Sequence, residues 1–68
     1  MNFAKILNEL RVESGMTQIA LAKKLNVTDT AVRGWEKTNR QPTFEILCEL
    51  AKIFDVTVGQ LLGVEEYP

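Results

Sequence analysis

Apolar side chains recur along the chain at intervals of three and four residues. The first such stripe consists of Phe3, Ile6, Leu7 and Leu10. Comparable stripes run through residues 20–25 and 44–54, where the spacing is that of a helix face packed on a core. No stretch alternates apolar and polar residues, and no Asn-Gly or Asp-Gly hairpin turn occurs. The pattern predicts an all-α chain.

Helix starts are indicated by residues that cap the first turn with a side-chain oxygen. Five positions have this character: Asn2, Thr17, Thr28, Thr43 and Thr57. An apolar residue or proline precedes each of them, and an apolar residue follows four positions into each helix, which is the spacing of a hydrophobic staple. Thr57 and Gln60 also form a capping-box pair. Five helices are therefore predicted.

Helix ends are indicated by residues that tolerate a left-handed backbone. Gly15 is expected to end the first helix, Asn26 the second and Asp55 the fourth, while the fifth is expected to stop before Gly63. The 68 residues contain no repeat or linker. We expect a single domain over residues 1–68, with its core at about 3–63 and a frayed tail at 64–68.

The composition excludes several kinds of site. Cys48 is the single cysteine and there is no histidine, so neither an internal disulfide nor an ordinary zinc site is expected. No nucleophile–base pair is evident, which argues against an enzyme, and no cofactor or small-molecule substrate is expected. The charged, amphipathic start does not resemble a signal peptide, and no apolar run is long enough for a membrane span. We expect a reducing, cytoplasmic setting.

Charge is distributed unevenly although the net charge is only −1. Residues 1–42 contain seven basic and four acidic side chains, which gives +3. Residues 43–68 contain one basic and five acidic side chains, which gives −4. The first part is therefore expected to face an anionic partner, and the second part would be repelled by one.

The segment Thr17–Glu36 predicts two short helices joined by about three residues, which must cross at a steep angle. Ala22 is expected at the crossing, where only a small side chain permits close approach, with Val27 and Val32 filling the angle. This is the arrangement of a helix-turn-helix unit, whose second helix can lie in the major groove of DNA.

Two stretches, NELRVESGMTQIALAKKLNVT and WEKTNRQPTFEILCELAKIFDVTVGQLLG, resemble the lambda-repressor-like (XRE-type) helix-turn-helix family of phage repressors, Cro proteins and bacterial relatives. The resemblance covers about residues 3–63. It implies a compact five-helix DNA-binding domain, bacterial or phage-encoded and associated with the nucleoid. It also implies a structural ion pair between Arg11 and Glu36. Trp35 is expected in the core rather than stacked on a base.

The chain departs from the family pattern at several positions. Glycine commonly occupies the sites of Asn26, Thr38 and Asp55, and acidic or polar residues are frequent where Ile19 and Ala20 stand. Polar, often cationic, side chains are common at the site of Gly34. Two explanations of this glycine stay open: its backbone approaches DNA closely, or the helix reads little sequence.

Candidate base contacts follow from the outer arc of the third helix together with the resemblance. They are Asp29, Thr30, Arg33 and Gly34. Arg33 would donate to O6 and N7 of guanine, and Thr30 would contact a base or a thymine methyl group. Asp29 would either accept from cytosine N4 or interact favourably with the helix N-terminus.

Candidate phosphate contacts flank this helix. By resemblance they are Thr17 and Gln18 at the start of the second helix, with Lys37, Asn39 and Arg40 in and after the end of the third. The alternative for each basic residue is an ordinary solvated surface charge. Such contacts would position the protein on DNA without specifying sequence.

A homodimer is expected, because one copy offers few cations and few base contacts. If each subunit neutralises about three phosphates, the slope of log K against log[salt] for the dimer would be roughly −5. Candidate dimer contacts are Val58, Leu61, Val64 and Tyr67, with Ile46, Cys48 or Ile53 if they are not core. The predicted function is a sequence-specific transcriptional regulator that represses by occupying its operator. The alternative is an antitoxin-like or other protein-interaction module with a protein partner.

Overall fold

The structure, a computed structural model, describes residues 2–38 and 40–66. These residues form five helices and no strand, as predicted. The helices are α1 (Phe3–Glu13), α2 (Gln18–Leu25), α3 (Asp29–Lys37), α4 (Phe44–Phe54) and α5 (Val58–Leu62).

Threonine side chains begin four of the five helices. Thr17 Oγ1 accepts from the Ala20 amide at 3.0 Å, and Thr28, Thr43 and Thr57 cap α3, α4 and α5 in the same way. The predicted capping box of Thr57 and Gln60 is present. Asn2 precedes the first residue of α1 as predicted, and its carbonyl accepts from the Ile6 amide, but the expected side-chain cap is absent. Its backbone, at φ −119° and ψ 42°, lacks the extended conformation of the four threonines, and its side chain makes no capping hydrogen bond.

Left-handed residues end the helices where the sequence indicates. Asn26 has φ 58° and Asp55 has φ 56°, so both occupy a conformation that glycine commonly supplies in the family. Thr38 differs, because its φ of −130° and ψ of −175° are those of an extended residue. Although glycine is common in the family at the position of Thr38, the extended backbone of Thr38 does not require glycine here.

The core lies where α3 packs against α1 and α2, with α4 and α5 closing the other side. Its members are Phe3, Leu7, Leu10, Leu21, Ala22, Leu25, Val32, Trp35, Leu47, Leu50 and Leu61. Trp35 and Ala22 are thus buried as expected. Phe44, predicted in the apolar stripe of α4, is the first residue of that helix and is instead 70% exposed.

Leu61 corrects one expectation about the dimer surface. Its side chain is fully buried in this core, where α5 packs on α1 and α4, so it is not available to a second subunit. Val64 is 66% exposed and Val58 is partly buried against the core. Tyr67, the fourth candidate, lies outside the described residues.

The segment after α5 turns back on that helix and forms hydrogen bonds with it. The amides of Val64 and Glu65 donate to the Gly59 carbonyl at 3.0 and 3.1 Å, and Gln60 Nε2 donates to the Glu66 carbonyl at 3.0 Å. The Thr57 hydroxyl also donates to the Glu65 carboxylate. Residues 64–66 are thus hydrogen-bonded to α5 and its cap, whereas the expectation of a frayed tail stays a prediction.

Candidate nucleic-acid interface

A three-residue connection joins α2 and α3, and the two helices pack on each other as in a helix-turn-helix unit. Asn26 turns the chain in the left-handed conformation, and the Val27 amide donates to the Ala22 carbonyl at 3.0 Å. Thr28 then caps α3. Ala22 and Val32 are buried between the two helices, so the close crossing expected at Ala22 is present.

The two sides of α3 differ sharply in exposure. Val32 and Trp35 are buried, which fixes one side of the helix against the core. Thr30, Arg33 and Lys37 are exposed on the side that the core leaves uncovered. The helix therefore presents polar and cationic groups to any macromolecule that approaches this surface.

Arg33 and Asp29 form an ion pair one helical turn apart on that surface. Arg33 Nη2 donates to Asp29 Oδ2 at 3.1 Å, and the side chains remain 54% and 42% exposed. Two roles for Asp29 were open from the sequence, at cytosine or at the helix N-terminus. The structure adds Arg33 as a third partner, which the spacing of four residues would have allowed us to predict.

Arg11 and Glu36 form the second ion pair, as the resemblance implied. Arg11 Nε donates to Glu36 Oε2 at 2.7 Å, and Nη2 donates to Oε1 at 3.1 Å, so the contact is bidentate. Arg11 Nη1 also donates to the Met16 carbonyl at 2.8 Å. The guanidinium thereby connects α1 both to α3 and to the turn that precedes α2. It orients the helix without lying on the exposed surface.

The Glu36 carboxylate collects two further hydrogen bonds that the sequence analysis missed. Asn8 Nδ2 and Gln18 Nε2 both donate to Oε1, at 2.9 and 3.1 Å. Asn8 lies one turn before Arg11 on α1, a spacing that could have suggested it. The contact of Gln18 with Glu36 differs from the prediction, because Gln18 was expected to contact a DNA phosphate. In this structure its side-chain amide is engaged with the protein.

Hydrogen bonding decides the charge of Glu36. Burial alone would raise the pKa of this carboxyl, whose side chain is only 2% exposed. Hydrogen bonds from Arg11, Asn8 and Gln18, together with the positive charge of Arg11, outweigh burial and hold the pKa of Glu36 below its ordinary value of 4.5. Glu36 is consequently ionised at neutral pH, as an ion pair with Arg11 requires.

Gly34 lies beneath the side chain of Arg40. A Cβ atom at Gly34 would be 3.6 Å from Arg40 Cδ, an ordinary van der Waals distance, and the glycine is only partly exposed. The Thr38 hydroxyl donates to the Gly34 carbonyl at 2.6 Å. The space that a larger side chain at this position would fill is therefore occupied by the aliphatic part of Arg40.

Lys5 lies close to the same loop and was not predicted as a site residue. It lines, with Arg40 and Trp35, an open groove of about 450 Å³ between the start of α1 and the loop after α3. Lys37 is exposed at the end of α3, whereas Asn39 lies outside the described residues. At the start of α2, Thr17 is exposed and its hydroxyl caps the helix.

Residues 2–38 and 40–66 form neither a metal-binding cluster nor a membrane-spanning helix. Nowhere in these residues do three acidic, histidine or cysteine side chains come together as a metal would need. No helix formed by them is both long and apolar enough to span a membrane.

Comparison with known proteins supports the resemblance. A family described as helix-turn-helix matches residues 7–61. The chain is 39% identical over 66 residues to the HTH-type transcriptional activator BcrR of Enterococcus faecalis, covering 97% of this chain and 32% of BcrR. It is 33% identical over 66 residues to the HTH-type transcriptional regulator ImmR of Bacillus subtilis (strain 168), covering 97% and 52% respectively.

A third relative, the HTH-type transcriptional regulator AnsR of Bacillus subtilis (strain 168), is 35% identical over 60 residues, which cover 88% of this chain and 52% of AnsR. The chain thus spans about a third to a half of the length of these three relatives. No solved structure gives a match. The matched region includes all of α2, α3 and α4, and the chain belongs to the lambda-repressor-like (XRE-type) helix-turn-helix family.

Proposed function

We propose that this protein binds duplex DNA in a sequence-specific manner and regulates transcription, with α3 in the major groove. One observation carries the proposal: α3 is anchored by Val32 and Trp35 and leaves Thr30 and Arg33 exposed. A helix fixed in this way can present the same side chains to successive base pairs. The net charge of +3 over residues 1–42 favours approach to an anion.

Arg33 is the proposed main base contact. Its guanidinium is half exposed and can donate two hydrogen bonds to O6 and N7 of guanine. Thr30, one turn before the partly exposed Gly34, would contact a neighbouring base or a thymine methyl group. Gly34 itself is not proposed to contact a base. Its proposed role is to leave room for the Arg40 side chain, which lies over it and would contact the DNA.

Phosphate contacts are proposed on both sides of α3. Lys37, Asn39 and Arg40 would bind one strand after the end of α3, and Thr17 and Gln18 would bind at the start of α2, where free amides favour an anion. Gln18 Nε2 donates to Glu36, so the side chain could bind a phosphate only if that hydrogen bond opened. Otherwise the backbone amide of Gln18 would make the phosphate contact. The Arg11–Glu36 pair would hold the two sides in register.

A homodimer on two half-sites is part of the proposal. If one copy neutralises about three phosphates, with Lys37 and Arg40 among the contacts, two copies would give a salt slope of roughly −5. The half-sites would lie about one helical turn of DNA apart. Of the four predicted dimer residues, Val58 and Val64 are within the described part of the chain and not fully buried, so they remain candidates for the contact between subunits. Both lie outside α3.

Repression by occupation of an operator is the proposed outcome of binding. The names of the relatives leave the sign of regulation open, since BcrR is called an activator and ImmR a regulator. A reporter gene with the selected site placed over its promoter tests the sign. Lower expression with the protein supports repression, and higher expression identifies an activator.

Selection from random duplexes tests the DNA-binding proposal directly. The wild-type protein is expected to enrich one sequence with a guanine that Arg33→Ala no longer selects. Lys52→Ala is the matched control, because it removes one positive charge from α4 and is expected to select the wild-type sequence. If the wild-type protein enriches no sequence at low salt, the proposal is wrong.

A protein partner is the second candidate. Val12, Ile19, Phe44 and Val64 are large apolar side chains that are 56–70% exposed, and Ile19 stands where the family often has a polar residue. Affinity capture from the source cell after nuclease treatment tests this alternative. A stoichiometric protein that is lost with Ile19→Ser or Phe44→Ser, but retained with Arg33→Ala, would support it.

A further inference from the structure

The ion pair between Asp29 and Arg33 lies in the centre of the proposed DNA-binding surface. We propose that Asp29 is a positioning residue, which holds Arg33 in place for guanine and thereby sets base specificity without reading a base itself. This inference rests on the proposed DNA-binding function and identifies a residue that determines its specificity.

The position of Asp29 on the helix makes it a firm support. It is the first residue of α3, directly after the Thr28 cap, where a carboxylate interacts favourably with the free amides of the first turn. Arg33 follows four residues later, and an acidic residue preceding its basic partner by four is the favourable order on a helix. The carboxylate therefore has two reasons to stay beside the guanidinium.

The pairing leaves the guanidinium free to recognise guanine. A guanidinium has five N–H donors, and Asp29 accepts from Nη2 alone. Among residues 2–38 and 40–66, no other group accepts a hydrogen bond from Arg33. Guanine O6 and N7 can thus be bound while the contact with Asp29 persists, because the planar guanidinium directs its donors along several edges.

Specificity gains from this arrangement in two ways. An arginine that is already held loses less rotamer freedom when it docks, which strengthens binding to the correct base. The carboxylate also repels the phosphates of every duplex, so it weakens binding wherever Arg33 finds no guanine to compensate. Asp29 is therefore expected to lower affinity for DNA in general while raising the preference for one base.

The first test compares two duplexes at one salt concentration: the selected site, and the same site with the base pair recognised by Arg33 replaced. Asp29→Asn is expected to bind the replaced duplex about two- to threefold more tightly than the wild type does, and to reduce the ratio of the two affinities about two- to fivefold. Glu49→Gln, which makes the same charge change on the exposed surface of α4, is expected to leave the ratio unchanged.

The second test repeats Asp29→Asn in the Arg33→Ala protein. There the substitution is expected to change no base preference, because the arginine that Asp29 positions is absent. If the Arg33→Ala protein prefers cytosine at one position and the added Asp29→Asn abolishes that preference, then Asp29 reads a base. That result would overturn the inference. A ratio that Asp29→Asn leaves unaltered in the wild-type background would overturn it as well.

These outcomes separate the inference from the proposed function. A wild-type protein that selects no sequence refutes both. A protein that selects a guanine through Arg33 but is indifferent to Asp29→Asn refutes only the positioning role, and the proposed function stands.

Discussion

The two ion pairs of α3 join the same chemical groups in different surroundings, at opposite ends of one helix. Arg11 and Glu36 have side chains that are 12% and 2% exposed, and further hydrogen bonds from Asn8 and Gln18 surround the carboxylate. Arg33 and Asp29 are 54% and 42% exposed and share one hydrogen bond. The first pair is built into the fold, whereas the second remains accessible to a ligand.

Solvent explains why the same pairing serves two purposes. Water screens an exposed pair, so it contributes about 0–1 kcal/mol to stability and is easily rearranged. A buried carboxylate without its partner is costly, which makes the Arg11–Glu36 pair hard to break. Charge that must orient a helix is therefore expected in the interior, and charge that must bind a partner is expected at the surface.

Removing each arginine in turn should give the largest contrast. Arg11→Met leaves the Glu36 carboxylate buried without its ion pair, and is expected to lower the free energy of unfolding by about 3–5 kcal/mol. Because a small domain has little more stability than this, the variant should be largely unfolded. Urea denaturation followed by circular dichroism measures the loss.

Arg33→Met is the matched control for that measurement. It removes the same type of side chain from the exposed pair and is expected to change stability by no more than about 0.5 kcal/mol. Equal losses for the two variants would show that burial does not distinguish the pairs. The folded Arg33→Met protein is nevertheless expected to lose its base preference in DNA binding, because the proposed guanine contact is removed.

Local features of this fold could be predicted from the sequence because few residues determine them. A threonine caps a helix through an amide three residues away, and four such caps are present. Left-handed Asn26 and Asp55 are equally local. The Arg11–Glu36 pair joins residues 25 apart. It was expected only because the chain resembles a family, and not from any local pattern.

Contacts that depend on how the helices pack were beyond the sequence. Gln18 reaches Glu36 from 18 residues away, and nothing in its neighbourhood indicates that partner. Asn8 is 28 residues from Glu36, and its place one turn before Arg11 suggests the contact only once the Arg11–Glu36 pair is expected. The position of Arg40 over Gly34 depends on the path of the loop after α3. The wrong assignment of Leu61 has a similar origin, because its apolar character alone does not distinguish a core position from an interface.

Acid should weaken the buried Arg11–Glu36 pair. The folded-state pKa of Glu36 is held below 4.5, so its ionised form contributes stability that is fully present above about pH 4.5. This contribution is lost as the pH falls through the folded-state pKa. The effect should be smaller than that of Arg11→Met, because a protonated carboxyl keeps part of its hydrogen bonding.

Urea denaturation at a series of pH values measures this effect, with Glu36→Gln as the comparison. The difference in stability between wild type and Glu36→Gln is expected to narrow as the pH falls below about 4.5. A difference between wild type and Glu36→Gln that stays constant with pH would contradict the assignment of this stability to the Glu36 charge.

Gly34, which lies between the two pairs along α3, allows the smallest and most specific test. Gly34→Ala is expected to stabilise the protein by several tenths of a kcal/mol up to about 1, because alanine favours a helix and the new Cβ would meet Arg40 Cδ at an unstrained 3.6 Å. DNA affinity should stay within about twofold of wild type, since Arg40 keeps its place. Gly34→Leu is expected to displace Arg40 and weaken binding to all sequences alike, as loss of a phosphate contact does. If Gly34→Ala already weakens binding strongly, the backbone of α3 itself approaches the DNA. The glycine is then needed for clearance from the DNA and not to leave room for the Arg40 side chain.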